Sequence, residues 1–370
     1  AGGNSDTNGY GNFFSAVPSG YSAICSGALT AADAVDPAQT DDNYPQKLFN
    51  PLLYTGDGST TQAQTGLGFQ PDWTFIKQRN GTAGWKVFDS NRGVTKYVAF
   101  HNNDAETTET DSLKVFGSDG FSVGSNAGTG ASSSTYSSGN WRANGGTTST
   151  NSTGSLSVTQ QVDPSGGFSI STYSGDGGTD TIGHGLSRAP TMVRVKQRNG
   201  ANNWAVYAKG AGNTKYAYLD SHVAFGTAAM WQNTTPSSSL VYLGDNNEVN
   251  AGSRTYVAYC FADTEGYCKS GGYSGNGSTD GTFVYTGFRP SFVMTKMVDG
   301  GAEWTIYDNK RDPFNESDHV LQADLSSAER TDLDEIDILS NGFKCLSTGG
   351  RTNQSSKSYV YLAFAENPFQ

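Results

Sequence analysis

Six side chains recur at one fixed spacing and are the first candidates for chemistry. Each of three lysines stands eight residues before a tryptophan, in the pairs Lys77 with Trp85, Lys196 with Trp204 and Lys296 with Trp304. A catalytic lysine needs a desolvating pocket or a nearby acid. We expect structural lysines instead, whose stems cover apolar surface while the amines reach water or a carboxylate such as Asp89 or Asp308. Because the tryptophans share a strand face with β-branched residues in every repeat, we expect a buried structural core.

Two further tryptophans lie outside this spacing, near polar loops. Exposed indole rings can stack on sugar rings, so Trp141 and Trp231 are the candidate ligand-facing residues. No G-x-S-x-G, H-E-x-x-H or phosphate-binding loop occurs, and the four histidines have no repeat-consistent neighbours. The sequence therefore predicts no catalytic, cofactor-binding or metal-binding residue, and no cofactor.

Acidic side chains are concentrated near the end of the chain. The stretch from 316 to 337 contains one arginine and eight acids, namely Glu316, Asp318, Asp324, Glu329, Asp332, Asp334, Glu335 and Asp337. Two carboxylates about 5–10 Å apart across a cleft can hydrolyse a glycoside. Runs of acids are more often solvated loops, so glycoside cleavage stays a minor alternative beside a contact with a cation or a partner.

A short glycine-rich element, Y-[ST]-G-[DN]-G, occurs at 54–58, 173–177 and 273–277. Its acidic or amide residues, Asp57, Asp176 and Asn276, could suggest calcium. Calcium takes six or more oxygen ligands, and each element offers at most one acid. We expect a tight turn, in which glycine adopts positive φ and the Asp or Asn side chain bonds the local backbone.

The three elements begin three repeats that align without gaps. The distance from Tyr to Pro is 17 residues in all three, from Tyr54 to Pro71 and at the corresponding positions of the other two, and the repeats start 119 and 100 residues apart. Apolar residues alternate with period two, which is typical of strands with one face on a core. We predict an all-β fold of three tandem β-sandwich-like repeats, at 54–160, 161–270 and 271–370, behind a short N-terminal β segment, 1–53. We expect the repeats to stack in a row, each around its own tryptophan-centred core.

The final strands of the second and third repeats are similar, YVAYCFADTEG and YVYLAFAENPF. The first repeat has YSSGNWRANGG from Tyr136 at the same place, which is polar and interrupted by glycine. We therefore expect a weaker last strand there, at an exposed edge, and a loop or hairpin over 125–153.

Composition and charge exclude several classes of protein. The formal net charge is −11 with no basic cluster, which argues against binding to nucleic acid. The sequence contains no run of eighteen apolar residues, so it predicts no membrane span. The four cysteines, Cys25, Cys260, Cys268 and Cys345, show no zinc spacing, and we expect free thiols. Since the chain begins without Met, we expect a processed product or part of a longer protein.

The phrases YTGDGS, GLGFQPDWTFIKQRN, GFRPSFVMTK, SNGFKCLS and YVYLAFAENPF resemble a repeat domain found at the C-terminus of tailed-phage structural proteins, several of them tail-fibre-like. The segment GYGNFFSAVPSGYSAICSGAL resembles the end of the SPRY-like β-sandwich that often precedes it. The polar strand at 136–146 departs from the usual apolar one. The resemblance implies a virion protein and brings with it no catalytic residues.

From this resemblance we expect a non-enzymatic phage structural protein on the particle surface or tail. The leading hypothesis is a tail-fibre or receptor-binding component that contacts host surface glycan. Alternatives are a capsid decoration or head-fibre protein and, less favoured, a polysaccharide depolymerase. The expected partners are other virion proteins, copies of the chain itself and host glycan, without nucleic acid or membrane insertion.

Overall fold

A computed structural model describes residues 3–6, 9, 11–19, 21, 47–333 and 335–366. The structure is 41% strand and 2% helical, which confirms the all-β fold class. Most of the N-terminal segment 1–53, including Cys25, lies outside the described residues. Asn4 and Phe13 form an isolated antiparallel bridge within that segment.

In the part of the chain that the structure describes, twenty-seven strands form three units and one hairpin. Unit 1 contains β1 (Phe49–Thr55), β2 (Gln62–Thr65), β3 (Trp73–Gln78), β4 (Lys86–Asp89), β5 (Lys96–Val98), β6 (Thr107–Thr108), β7 (Leu113–Gly117), β8 (Gly120–Val123) and β9 (Thr135–Trp141). A hairpin of β10 (Ser149–Asn151) and β11 (Val158–Asp163) follows it.

Unit 2 contains β12 (Phe168–Ser174), β13 (Asp180–Gly183), β14 (Met192–Gln197), β15 (Ala205–Ala208), β16 (Lys215–Tyr218), β17 (Gly226–Thr227), β18 (Leu240–Leu243) and β19 (Thr255–Phe261), with two 3-10 helices, Lys209–Ala211 and Ala229–Trp231. Unit 3 contains β20 (Cys268–Ser274), β21 (Phe283–Tyr285), β22 (Pro290–Met297), β23 (Thr305–Asp308), β24 (Leu321–Gln322), β25 (Ile336–Leu339), β26 (Gly342–Cys345) and β27 (Ser358–Ala365).

Each unit is a sandwich of a large inner sheet and a small outer sheet, as the repeats predict. The inner sheets have the orders β1-β9-β3-β4-β5-β6, β10-β11-β12-β19-β14-β15-β16-β17 and β20-β27-β22-β23-β24. The outer sheets are β2-β8-β7, β13-β18 and β21-β26-β25. In every inner sheet the last strand of the unit lies between its first strand and the strand that begins at or just after the proline of the repeat. The first and last strands of each unit are therefore paired with each other.

The two faces of each inner sheet belong to different cores. Trp85 and Val87 lie in a central cluster that also contains their equivalents from units 2 and 3, namely Trp204, Val206, Trp304 and Ile306. The alternate residue Phe88 lies in a separate cluster between the inner and outer sheets of unit 1, and units 2 and 3 have matching clusters. The period-two pattern therefore marks one face for the unit's own sandwich and the other for a core that all three units share.

The units close into a ring rather than a row. The Trp85 indole of unit 1 donates to Gln322 O of unit 3 at 2.9 Å, the Trp204 indole of unit 2 to Ala99 O of unit 1 at 2.6 Å, and the Trp304 indole of unit 3 to Tyr218 O of unit 2 at 2.9 Å. The three carbonyls stand at one equivalent position, at the end of the strand paired with the tryptophan strand or just after it. The predicted row with separate tryptophan-centred cores is therefore wrong.

The recurring tyrosine of each repeat also has a structural cause. Tyr54 stacks on Tyr136 with ring centroids 5.1 Å apart, and the same pair closes unit 2 at 5.2 Å and unit 3 at 5.0 Å. The first tyrosine donates to a buried loop carbonyl, Thr129 O in unit 1. The glycine-rich turn that follows is thereby anchored to the end of the unit.

The polar last strand of unit 1 is not an exposed edge. β9 lies between β1 and β3, and six of its seven residues are buried. A Cβ at Gly139 would lie 2.5 Å from the Phe75 ring, so glycine here makes room for that ring. Thr74 and Asn50 satisfy the buried Asn140 side chain. Strand β9 also occupies much of the predicted loop over 125–153.

The unit boundaries differ from the predicted ones at three places, one of which is the start of unit 3 at Cys268 rather than at 271. Unit 1 begins at Phe49, five residues before the predicted start at 54, because β1 pairs with β9 along its whole length. The hairpin β10–β11 spans the predicted boundary at 160 and adds two strands to the edge of the inner sheet of unit 2.

An arginine occupies the shared core. Arg194 stands at the position equivalent to Phe75 and Met294, is 2% exposed, and its guanidinium lies 5.3 Å from the centroid of the Phe261 ring. Its hydrogen-bond acceptors are two thioethers, of Met192 and Met294, at 3.4 and 3.0 Å. Burial lowers the pKa of Arg194 to about 9. A buried cation without a carboxylate is a cost to folding.

Replacing this arginine with the residue of unit 3 is expected to stabilise the protein. Arg194→Met removes a desolvated charge and keeps an unbranched side chain, so the free energy of unfolding rises by about 1–3 kcal/mol in chemical denaturation. The reciprocal Met294→Arg adds a second buried cation and lowers it. A lower unfolding midpoint for Arg194→Met than for the wild type would contradict this account of the core.

Candidate functional site

The three repeated lysines lie at the junctions between units. All three are 0% exposed. Lys196 donates to Asn103 O of unit 1, and Lys296 to His222 O and Val223 O of unit 2, at 3.0, 3.0 and 2.9 Å. Lys77 donates to carbonyls of its own unit. The expectation that these amines reach water or Asp89 and Asp308 is wrong, and burial lowers the pKa of each lysine to about 8.

A carboxylate accompanies two of these lysines. Asp220 and Asp324 accept the backbone N–H of Trp204 and Trp304, each at 3.0 Å, and burial raises the pKa of both to about 6. The equivalent residue of unit 1 is His101, where burial and the neighbouring Lys77 lower the imidazole pKa. The lysines of units 2 and 3 therefore join each of these units to the preceding one, and the carboxylate holds the tryptophan strand within its own unit.

Two junctions contain a buried ion network. At the junction of units 3 and 1, Arg311 lies between Asp308 and Glu329, and Arg79 binds Glu329 through two nitrogens. At the junction of units 1 and 2, the equivalent network is Asp89, Arg92, Glu106 and Arg198. Asp89 and Asp308, which the sequence suggests as lysine partners, are thus bound to arginine.

The junction of units 2 and 3 has an apolar version of the same geometry. Ala208, Ala211, Phe225 and Val298 stand at the four positions, all in or packed against the shared core. The backbone bond persists: Phe225 N donates to Val298 O at 3.0 Å, as Glu106 N does to Arg198 O and Glu329 N to Arg79 O, both at 2.8 Å. The same backbone contact between units is therefore surrounded by charged side chains at two junctions and by apolar side chains at the third.

The two predicted ligand-facing tryptophans are buried. Trp141 is 1% exposed and packs 4.4 Å from Trp73 in the shared core. Trp231 is 1% exposed and packs 6.0 Å from Tyr207, where a 3-10 helix takes the place of a third outer strand in unit 2. Neither indole presents a face to solvent, so the expectation that they contact a ligand is wrong. Trp85, Trp204 and Trp304 are buried at 0–1% exposure.

The acidic stretch near the end of the chain is not a uniform solvated loop. Glu329 and Glu335 have side chains 6% and 3% exposed and pair with arginines, Glu335 with Arg351 at 3.2 Å. Tyr307 donates to Glu335 at 2.5 Å. Glu335 therefore holds unit 3 together, whereas Glu329 joins unit 3 to unit 1. Asp334 lies outside the described residues.

One small group near this stretch has metal-ligating residue types. The side chains of Asp312, Asp318 and His319 bring three possible ligand atoms within 4.8 Å of one another. His319 Nδ1 lies 2.5 Å from Asp312 Oδ1 and 2.7 Å from Asp318 Oδ1. The short distances are those of direct hydrogen bonds and ion pairs within the group.

The glycine-rich elements form turns, as predicted. Asp57 Oδ1 accepts the backbone N–H of Ser59. The Oδ1 atoms of Asp176 and Asn276 likewise each accept the backbone N–H of the residue two positions later in the chain. The following glycine of each turn has positive φ, 74° for Gly58. The three described cysteines, Cys260, Cys268 and Cys345, are buried free thiols, as expected.

An exposed aromatic pair occurs on the outer sheet of unit 3. Phe283 and Tyr285 lie two residues apart on β21 and are 45% and 64% exposed, while Val284 between them is buried. The pairing of β2 with β8 and of β13 with β18 matches that of β21 with β26 and identifies the equivalent residues. They are Ala63 and Thr65 in unit 1 and Thr181 and Gly183 in unit 2. We name Phe283, Tyr285 and the outward residues beside them, Asp337, Leu339 and Lys344, the outer aromatic face. The gap-free repeat alignment is out of register at these positions, because it places Phe283 opposite Gln64 and Gly183, so the strand pairing was needed to identify the face.

The fold and the junctions define the class of protein: a single-chain all-β protein in which three repeated sandwich units close around one shared core. The chain belongs to the family of the domain of unknown function DUF7483, whose profile matches residues 44–368. No curated protein matches the sequence. Within the described residues, no helix has the length and apolar character needed to cross a lipid bilayer.

The apolar junction suggests how to test the charged one. Arg311→Ala leaves Asp308 and Glu329 buried without their shared cation, and we expect a loss of about 3–5 kcal/mol in the free energy of unfolding. The fourfold variant Arg79→Val, Asp308→Ala, Arg311→Ala and Glu329→Phe copies the junction of units 2 and 3. We expect it to be more stable than Arg311→Ala in denaturant unfolding. A fourfold variant less stable than Arg311→Ala would show that the ions contribute more than their burial costs.

A buried lysine gives a pH signature. Because the folded protein lowers the pKa of Lys296 from 10.5 to about 8, the unfolded chain holds this proton more tightly. The stability of the wild type relative to Lys296→Met therefore rises as pH increases from about 8 towards about 10. Titration of the buried cysteines and tyrosines is common to both proteins and cancels in the difference. The control is Val115→Thr, measured by the same denaturant titrations. Its difference from the wild type in free energy of unfolding is expected not to change with pH. A difference for Lys296→Met that falls with pH contradicts the assignment.

Proposed function

We propose that this chain is a structural protein of a tailed-phage particle, acting as a tail-fibre or receptor-binding component that contacts host surface glycan without catalysis. The motifs that resemble phage structural proteins are framework residues here: the stacked tyrosines, the turns and the tryptophan strands. A family likeness carried by framework residues supports a shared architecture. In this proposal, the residues that contact a ligand lie at other positions.

The observation that carries the proposal is the closure of the three units around one core. Closure places every inner sheet inside the body and turns the outer sheets outwards. Such a body suits a compact terminal module better than the extended spacer that a row of units would form. Outer sheets and their loops then supply the contact surfaces.

The closed form also favours a second candidate, a capsid decoration protein. A compact body of three similar units can sit as one copy on a shell. In that case the chain contacts other virion proteins and no receptor. Copy number separates the two: hundreds of copies per particle indicate decoration, and small multiples of three or six indicate a tail position.

Competition for host cells tests the leading proposal. The purified chain, added to host cells before the phage that encodes it, is expected to reduce phage adsorption in proportion to its occupancy of the receptor. Cryo-electron microscopy of the intact particle gives the copy number and location in parallel. Full adsorption at saturating chain, together with labelling of the shell, would replace the receptor-binding proposal with decoration.

A further inference from the structure

The outer aromatic face has the features of a recognition surface on a rigid support. Residues two apart on a strand are about 7 Å apart on the same face, so Phe283 and Tyr285 present two adjacent rings. The inward residues of the three strands, Val284, Phe343 and Ile336, are 0–5% exposed and fix the sheet from below. Single exposed apolar residues are normal on a protein surface, whereas contiguous exposed apolar residues such as these two rings mark interaction sites.

Polar groups surround the two rings in register. Phe283 pairs with Lys344 across β21 and β26, and Lys344 pairs with Asp337 across β26 and β25. Lys344 forms an ion pair with Asp280. The Asp280 carboxylate is 88% exposed in this pair. The face therefore offers apolar rings together with an exposed carboxylate beside Lys344.

A glycine brings the rings close to the sheet. A Cβ at Gly342, opposite Tyr285 on β26, would lie 3.1 Å from a ring carbon of Phe283. Without a side chain at 342, the Phe283 ring lies low over β26, while Tyr285 remains more exposed. The outcome is a shallow platform with one low and one projecting ring.

We propose that the outer aromatic face binds a neutral glycan, a refinement that rests on the proposed function. Sugar rings combine apolar C–H faces, which stack on aromatic rings, with hydroxyl donors, for which the exposed Asp280 carboxylate is an acceptor. Asp280, Asp337 and Lys344 together carry a charge of −1, and the chain carries −11. Acidic polysaccharide is repelled by this field, so the complementary ligand is uncharged. A second copy of the chain, equally acidic, is disfavoured for the same reason.

Binding to immobilised oligosaccharides tests the platform. The full chain is applied to an array of neutral hexose oligosaccharides and of matched acidic ones. Phe283→Thr with Tyr285→Thr copies residues that units 1 and 2 carry at these positions, so the strand is expected to fold. Since truncating the central aromatics of an interface removes most of its affinity, we expect binding to neutral glycans to weaken about tenfold or more. Val115→Thr, on the outer sheet of unit 1 and 51% exposed, is the matched control and is expected to bind like the wild type.

The possible outcomes separate this inference from the proposed function. If wild type and the double variant bind glycans or host cells equally, the platform is wrong and receptor binding stands. Preference for acidic glycans overturns the neutral ligand. A wild-type dimer in sedimentation that the double variant abolishes identifies the face as a self-contact and overturns the inference. If the wild type binds neither the array nor host cells, the receptor-binding function itself fails, and the platform with it. Thermal unfolding of each variant excludes misfolding as the cause of lost binding.

Discussion

The hydrogen bond from each repeat tryptophan to its neighbour is the constraint on which the molecule depends. Each indole N–H is buried at a junction, and its acceptor is a carbonyl of another unit. A buried donor without a partner costs roughly 1–3 kcal/mol. A unit in isolation would leave its indole without this acceptor and expose the apolar inner face of its sheet. Three units are needed to complete the set, because unit 1 donates to unit 3 and thereby closes the ring.

The same geometry tolerates different chemistry at different junctions. Phe225 and Val298 occupy the places that Glu106 with Arg198, and Glu329 with Arg79, occupy elsewhere. The backbone bond between these positions is present in all three cases. The position of the main chain is thus maintained by strand pairing and by the indole, while side chains at the junction are free to be ionic or apolar. We infer that the buried ions, whose positions are apolar at the junction of units 2 and 3, contribute specificity of pairing more than net stability.

The fold class and the units were predictable from spacing, and the assembly of units was not. Alternation in the tryptophan strand predicts that one face lies on a core, yet a period of two does not say what covers the other face, which is a second core in the structure. Trp141 was assigned to the surface because Ser, Gly and Asn surround it, but these small residues allow Phe75 and Trp73 to pack against β9. Polarity of a strand reports exposure only when the strand lies at an edge, and pairing of β9 with both β1 and β3 is a long-range property.

The proposed recognition must then reside where the units differ, because the features they share are already used. The tyrosine pairs, turns, lysines and indoles repeat in each unit and serve packing. Differences inside the body, such as Arg194 against Phe75, are buried and cannot meet a ligand. Phe283 and Tyr285 combine the two conditions: they depart from the small residues of units 1 and 2, and they face solvent on a strand whose other side is fully packed. A repeat protein that duplicates a stable framework can change one outer strand at little cost to folding, which is a physical reason for recognition to arise on one unit.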